Sequence, residues 1–126
     1  MSVQRLKVDN APDPAGAYSA GVIANGFLFT AGMGPIDSET GQIVGDEVGE
    51  QTRQVLRNLG TVLAEAGLDY SDVVKATSHL SDIVRDFADY NRAYAEFFPD
   101  GPPARTTVGS ALPNILVEID FVAALR

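Results

Sequence analysis

The stretch from Pro102 to Ala124, PPARTTVGSALPNILVEIDFVAA, constrains the fold of this chain more than any other. It reads as a closing β-hairpin: a strand over Ala104 to Ser110, a break at Leu112-Pro113-Asn114, and a β-branched run from Ile115 to Val122. Side chains alternate along a strand, so Arg105, Thr107 and Gly109 share one face, and Glu118 and Asp120 share a face of the second strand. An unpaired buried charge is costly, so each of these groups must reach solvent or meet a partner. The planar fork of Arg105 suits a carboxylate held in two parallel charged hydrogen bonds. That carboxylate is either Glu118 or Asp120 across the hairpin, or one brought by a ligand.

The last strand is apolar on both sides, with Ile115, Val117, Ile119 and Phe121 opposed to Leu116 and Val122. One face therefore packs on helices, and the other needs a second cover. Two helices are legible upstream. From Asp46 to Ala66 the positions Val48, Thr52, Val55, Leu56, Leu59, Val62, Leu63 and Ala66 recur at helical spacing. Asp46 is placed to cap that helix and Gly67 to end it, while Arg53 and Arg57 fall on its solvated side. Asp82 or Asp86 caps a second helix, whose buried stripe is Ile83, Phe87, Tyr90, Tyr94, Phe97 and Phe98.

The remaining elements are strands. Val3 to Val8 is a short first strand, and Asn25-Gly26 joins two more as a tight hairpin because both positions tolerate positive φ. Val73 to Leu80 alternates, with Val74, Ala76 and Leu80 on one side and Lys75, Thr77 and His79 on the other. The order β, β, β, α, β, α, β, β indicates an α+β fold, a mixed sheet with two helices packed on one face, in a single domain over residues 1–126. No chain is left to cover the second face, so a neighbouring subunit is the economical answer.

Composition narrows the chemistry. Seventeen acidic residues against nine basic ones give a formal charge of −8, which repels phosphate backbones and anionic membranes, so nucleic acid and membrane are not expected partners. Cysteine is absent and His79 is the only histidine, which removes thiolate zinc sites, Cys nucleophiles and His-based triads. His79 itself reads as a structural histidine on a strand. No apolar core of a secretory signal and no run of about 18 apolar residues is present, so a soluble, cytoplasmic protein is expected.

The residues Pro103-Ala104-Arg105, Leu112-Pro113 and Val117-Glu118-Ile119 resemble the C-terminal signature of the RidA (YjgF) family of enamine/imine deaminases. The likeness continues through Gly16-Ala17-Tyr18-Ser19, Gly32, Pro35, Thr40-Gly41, Glu50-Gln51-Thr52-Arg53, Asp72-Val73-Val74-Lys75 and Asp86-Phe87. The resemblance implies a chorismate mutase-like fold, a homotrimer with pockets in the clefts between subunits, and hydrolysis of 2-imino acids to 2-oxo acids and ammonia. The activity implied is that of a 2-iminobutanoate/2-iminopropanoate deaminase, with no cofactor and no metal. It implies Arg105 as the clamp on the substrate carboxylate, Glu118 as the group acting on water, and Tyr18 as a pocket wall. Ala31, Gly32, Asn91 and Thr107 fall at substrate-binding positions. The sequence departs from the family at Gly16-Ala17-Tyr18, where Pro precedes Tyr in relatives, at Ala31-Gly32-Met33 in place of Ser-Gly-Gln, and at Thr107 in place of Cys. Two other readings stand beside deamination: a binding module that holds 2-oxo acids or related carboxylates without turnover, and an endoribonuclease or translation inhibitor.

Overall fold

A computed structural model describes residues 2–126. Six strands form one sheet: β1 (Gln4–Leu6), β2 (Gly21–Ala24), β3 (Phe27–Thr30), β4 (Val73–Leu80), β5 (Ala104–Gly109) and β6 (Val117–Ala124). Two helices, α1 (Val48–Glu65) and α2 (Ile83–Ala95), pack on one side of it. Their order along the chain is the one expected from the sequence. Asn25 and Gly26 sit at φ 57° and 85°, the paired positive values that the tight β2–β3 turn requires.

The terminal hairpin is the main correction. The sheet runs β1-β2-β3-β6-β4-β5, so β5 and β6 never pair; β4 lies between them, parallel to β5 and antiparallel to β6. A parallel pair needs a crossover, and α2 supplies it between β4 and β5. The chain then passes the end of β4, turning at Asn114 (φ 64°), and β6 enters on the other side. A cross-strand pair between Arg105 and Glu118 or Asp120 is thereby ruled out within the chain. Smaller corrections follow from local geometry. β6 starts at Val117 rather than Ile115, and Leu116 packs against the core instead of lying on an open strand face. The bulge between Val73 and Lys75 turns Val74 outward. Glu47, not Asp46, precedes α1, because the turn at Gly45 (φ 82°) delays the helix; its side chain makes no capping bond. Asp82 caps α2 by accepting from the Arg85 amide.

Burial along β6 shows how the layers are arranged. Val117, Ile119, Phe121 and Ala123 are buried under the helices, while the alternate residues Glu118, Asp120, Val122 and Ala124 are only half-buried on the far side. That far side is covered by no helix or strand among the described residues and exposes Phe27, Phe29 and Val108. Among the described residues, no helix is long and apolar enough to cross a membrane.

Two buried amides on α1 hold the segments that frame this far side. Gln51 donates to the Gly45 carbonyl at 2.9 Å and accepts from the Leu116 amide at 2.8 Å, fixing the entry to β6. Asn58 donates to the carbonyls of Gly34 and Ile36 at 3.0 and 2.9 Å, anchoring the loop after β3. Asn58→Ala leaves both carbonyls short of a donor and is expected to lower stability by about 1–3 kcal/mol, read as a lower urea midpoint at unchanged slope.

Candidate functional site

The candidate residues fall into two groups on opposite faces of the sheet. The first group surrounds the exit of β3. Met33 exchanges backbone hydrogen bonds with Ile119, which seats Gly32 directly against β6. The Glu118 side chain lies across Gly32 so closely that a Cβ there would collide with Oε1 and come within 3.0 Å of Cδ. Glycine is required by this approach, not by its backbone angles. Ala31 stands beside it, its amide donating to the Ala20 carbonyl at 2.9 Å. Tyr18 is half exposed, and its hydroxyl accepts from the Ala15 amide at 3.0 Å, so the ring is set by its own loop. A cavity of about 420 Å³ opens here between Pro14, Tyr18, Gly32, Met33, Ile36 and Asp37.

Glu118 makes no side-chain hydrogen bond or ion pair with another described residue. Its neighbours on the open face are polar: His79 lies directly opposite it on β4, and Asp120 two residues along on the same strand. His79 Nδ1 is 2.7 Å from Ser110 Oγ, so the imidazole is anchored to the chain just beyond β5. Burial holds the Asp120 carboxyl above the usual aspartate range; His79 opposes that shift and the Glu118 charge adds to it. Gly32→Ala tests the close approach. The new methyl meets only the flexible Glu118 side chain, from its carboxylate back to Cγ, so the fold is expected to persist while the carboxylate swings aside; any activity that uses this carboxylate should fall at least about tenfold with little change in melting temperature.

The second group belongs to β5 and α2. Arg105 is in register with Ala76, on the helix-covered face, at the sheet edge. Its guanidinium stands over three rings of α2, with Cζ 4.7 Å from the Tyr94 centroid, 5.2 Å from Tyr90 and 5.8 Å from Phe87. The stripe expected to be buried is thus open at one end: Tyr90 and Tyr94 are buried, whereas Phe87 is 40% exposed beside the arginine. Asn91, Tyr94, Phe98, Pro102, Pro103 and Arg105 line a cavity of about 370 Å³. Thr107 lies on the same face of β5, but its hydroxyl is engaged with the Tyr90 hydroxyl at 3.1 Å.

One chain does not bring the two groups together. Arg105 and Glu118 are two strands and three residues apart, about 14 Å between backbones, and their side chains leave the sheet in opposite directions. Gln51, which stands in the Glu50-Gln51-Thr52-Arg53 motif with no role attached, and Asn58, which no motif includes, hold the first group in place. The available signal was spacing: with Val48, Val55 and Val62 they repeat at helical intervals, placing two amides on a buried stripe.

The chain matches the family model described as "Endoribonuclease L-PSP" over residues 8–125. It is 47% identical over 117 residues to a RutC family protein of Pyrococcus horikoshii, covering 91% of this chain and 92% of that one. It is 42% identical over 122 residues to Reactive Intermediate Deaminase A, chloroplastic, of Arabidopsis thaliana, covering 95% of this chain and 65% of that one. Among solved structures it superposes on Escherichia coli TdcF with bound serine, with TM-score 0.91, 33% identity and coverage of 98% and 99% of the two chains. A second match is the Escherichia coli YjgF gene product, with TM-score 0.90, 35% identity and coverage of 98% and 99%. A family match over nearly the whole length, with relatives similar in sequence and in the same six-stranded arrangement, makes this chain a member of the RidA/YjgF family.

Proposed function

We propose that the protein hydrolyses reactive 2-imino acids to 2-oxo acids and ammonia, in clefts between the subunits of a homotrimer. One observation carries the reading. Of the two half-buried arginines, Arg53 is locked in a two-point ion pair with Glu96, whereas Arg105 has no carboxylate partner among the described residues and opens on a cavity. A half-buried guanidinium without an anion is a site awaiting one. The named relative, a reactive intermediate deaminase, supports imines as the source of that anion, and the serine bound to TdcF supports a small carboxylate of amino-acid size.

Assembly supplies what the single chain lacks. The uncovered face, with Phe27, Phe29 and Val108 exposed, is apolar enough to pack on another copy. In the trimer proposed, Arg105, at the β5 edge of one chain, and the nearby Asn91 meet Tyr18, Gly32 and Glu118 on the open face of the next. The reaction needs little machinery, because a protonated imine is already electrophilic. Arg105 holds the carboxylate, Tyr18 and the backbone near Gly32 orient the imine, and Glu118 takes a proton from water as its oxygen bonds to C2. That proton passes to the nitrogen; the C–N bond then breaks as Glu118 takes the proton of the new hydroxyl, and the departing ammonia accepts it, leaving a 2-oxo acid and ammonium. Ala31, without the hydroxyl that relatives carry there, leaves orientation to the backbone.

The test is ammonia release from 2-iminobutyrate and 2-iminopropionate generated enzymatically in the assay, with 2-oxobutyrate titrated in parallel. Acceleration over the spontaneous rate supports the deaminase. Binding of 2-oxobutyrate with no acceleration overturns it in favour of a carboxylate-binding module. The net charge of −8 weighs against RNA as substrate, whatever the description of the family model.

A further inference from the structure

We infer that the ring of Tyr94, with Tyr90 and Phe87 beside it, is the seat that positions the Arg105 guanidinium, standing where an ion-pair partner would otherwise stand. The inference deepens the deaminase reading and rests on it for its kinetic arm. A carboxylate partner would occupy the guanidinium's edge, as Glu96 occupies that of Arg53, and so neutralise its charge and compete with substrate. An aromatic face attracts the cation from below and leaves the N–H donors, which radiate in the guanidinium plane, free for a ligand.

The rings are themselves held in place. Tyr94 packs between Tyr90 and Phe98 with centroid distances of 5.8 and 4.9 Å. Tyr90 is tied through its hydroxyl to Thr107, two residues from Arg105 on the same strand, so the seat and the cation are fixed to one element. The Tyr94 hydroxyl, although buried, makes no hydrogen bond with any described residue. What Tyr94 contributes is therefore its ring. Burial pushes its phenol well above the ordinary tyrosine range, so it stays neutral beside the cation.

The experiment compares Tyr94→Phe, Tyr94→Leu and Phe87→Leu in the assembled protein by two readouts. The first uses no ligand: the NMR shifts of the Arg105 side chain, which lie upfield when the group sits over ring faces. The second is the split between KM and kcat for 2-iminobutyrate. Tyr94→Phe is expected to keep the ring-current shifts and to stay within about twofold of the parent in KM. Tyr94→Leu should lose a large part of the shift, Tyr90 and Phe87 keeping the rest, and raise KM about tenfold with kcat changed less than about threefold; Phe87→Leu should show the same pattern more weakly. If Tyr94→Leu fails to fold, Phe87→Leu, at a half-exposed ring, decides by the same readouts. Folded leucine variants with unaltered Arg105 shifts and unaltered KM overturn the inference, as does Tyr94→Phe behaving like Tyr94→Leu. A parent protein that releases no ammonia, yet whose Arg105 shifts collapse in Tyr94→Leu, overturns the deaminase reading and leaves the seat standing.

Discussion

Replacing Arg105 by alanine is expected to lower the rate of 2-iminobutyrate hydrolysis by about 10²- to 10³-fold. The figure is that of a two-point charged contact: each hydrogen bond to an ionised group contributes about 1.5–3 kcal/mol, and about 3–4 kcal/mol corresponds to this range of rate. Stability should fall far less. Arg105 lies on an edge strand, and its removal breaks no ion pair among the described residues; the loss is its cation–π contact with the rings of α2, about 1 kcal/mol. Ammonia release measured beside a thermal melt and a mass determination separates the two effects. Arg105→Lys should recover only part of the activity, since lysine keeps the charge but lacks the planar fork. An alanine variant with undiminished ammonia release would remove Arg105 from the reaction altogether.

Much of this arrangement was legible in the chain. The stretch from Ala104 to Ser110 reads as a strand, Asn25-Gly26 as a turn, and the spacing over α1 and α2 as two amphipathic helices, because each of these is decided within a few residues. Pairing is not. The link from Ser110 to Leu116 is short enough for a hairpin, and Leu112-Pro113-Asn114 carries the turn chemistry of one. What overrides that local preference is β4, which is buried on its helix side by Ala76, Ser78 and Leu80 and hydrogen-bonded on both edges. Inserting it between β5 and β6 pairs both of its own edges and one edge each of β5 and β6, a gain no window of sequence contains. The same limit applied to the site. Arg105, Glu118, Tyr18 and Gly32 stand out in the sequence as individual candidates, but their division between two faces follows from register. The role of Tyr94 was hidden inside a stripe that reads simply as core.

Glu118→Gln should be the other variant with a large effect, and the more informative one, because it removes a charge without removing volume. Loss of a positioned proton acceptor costs about 10²- to 10⁴-fold in rate. The fold has little reason to suffer: Glu118 has no hydrogen-bonding or ionic partner among the described residues, and its charge burdens Asp120 on the same face. The sign of the stability change follows from that burden. Asp120 carries a raised value in the folded chain, so folding is favoured when it is protonated, and that contribution is lost as pH rises from the unfolded aspartate range, near about 4, through the raised folded value. Removing the Glu118 charge shrinks the shift at its third cause, leaving burial and His79 in place, and so reduces the loss. The variant should therefore melt at the same temperature as its parent or higher at neutral pH, with the advantage from Asp120 fading below pH about 4, where that group is protonated in both states. Melts recorded across pH beside ammonia release test both halves. A slow enzyme that is no less stable identifies Glu118 as a charge kept on the sheet for chemistry, at the expense of its own fold. A variant that is destabilised but catalyses normally per folded molecule would make it a structural residue and leave the attacking water without a base.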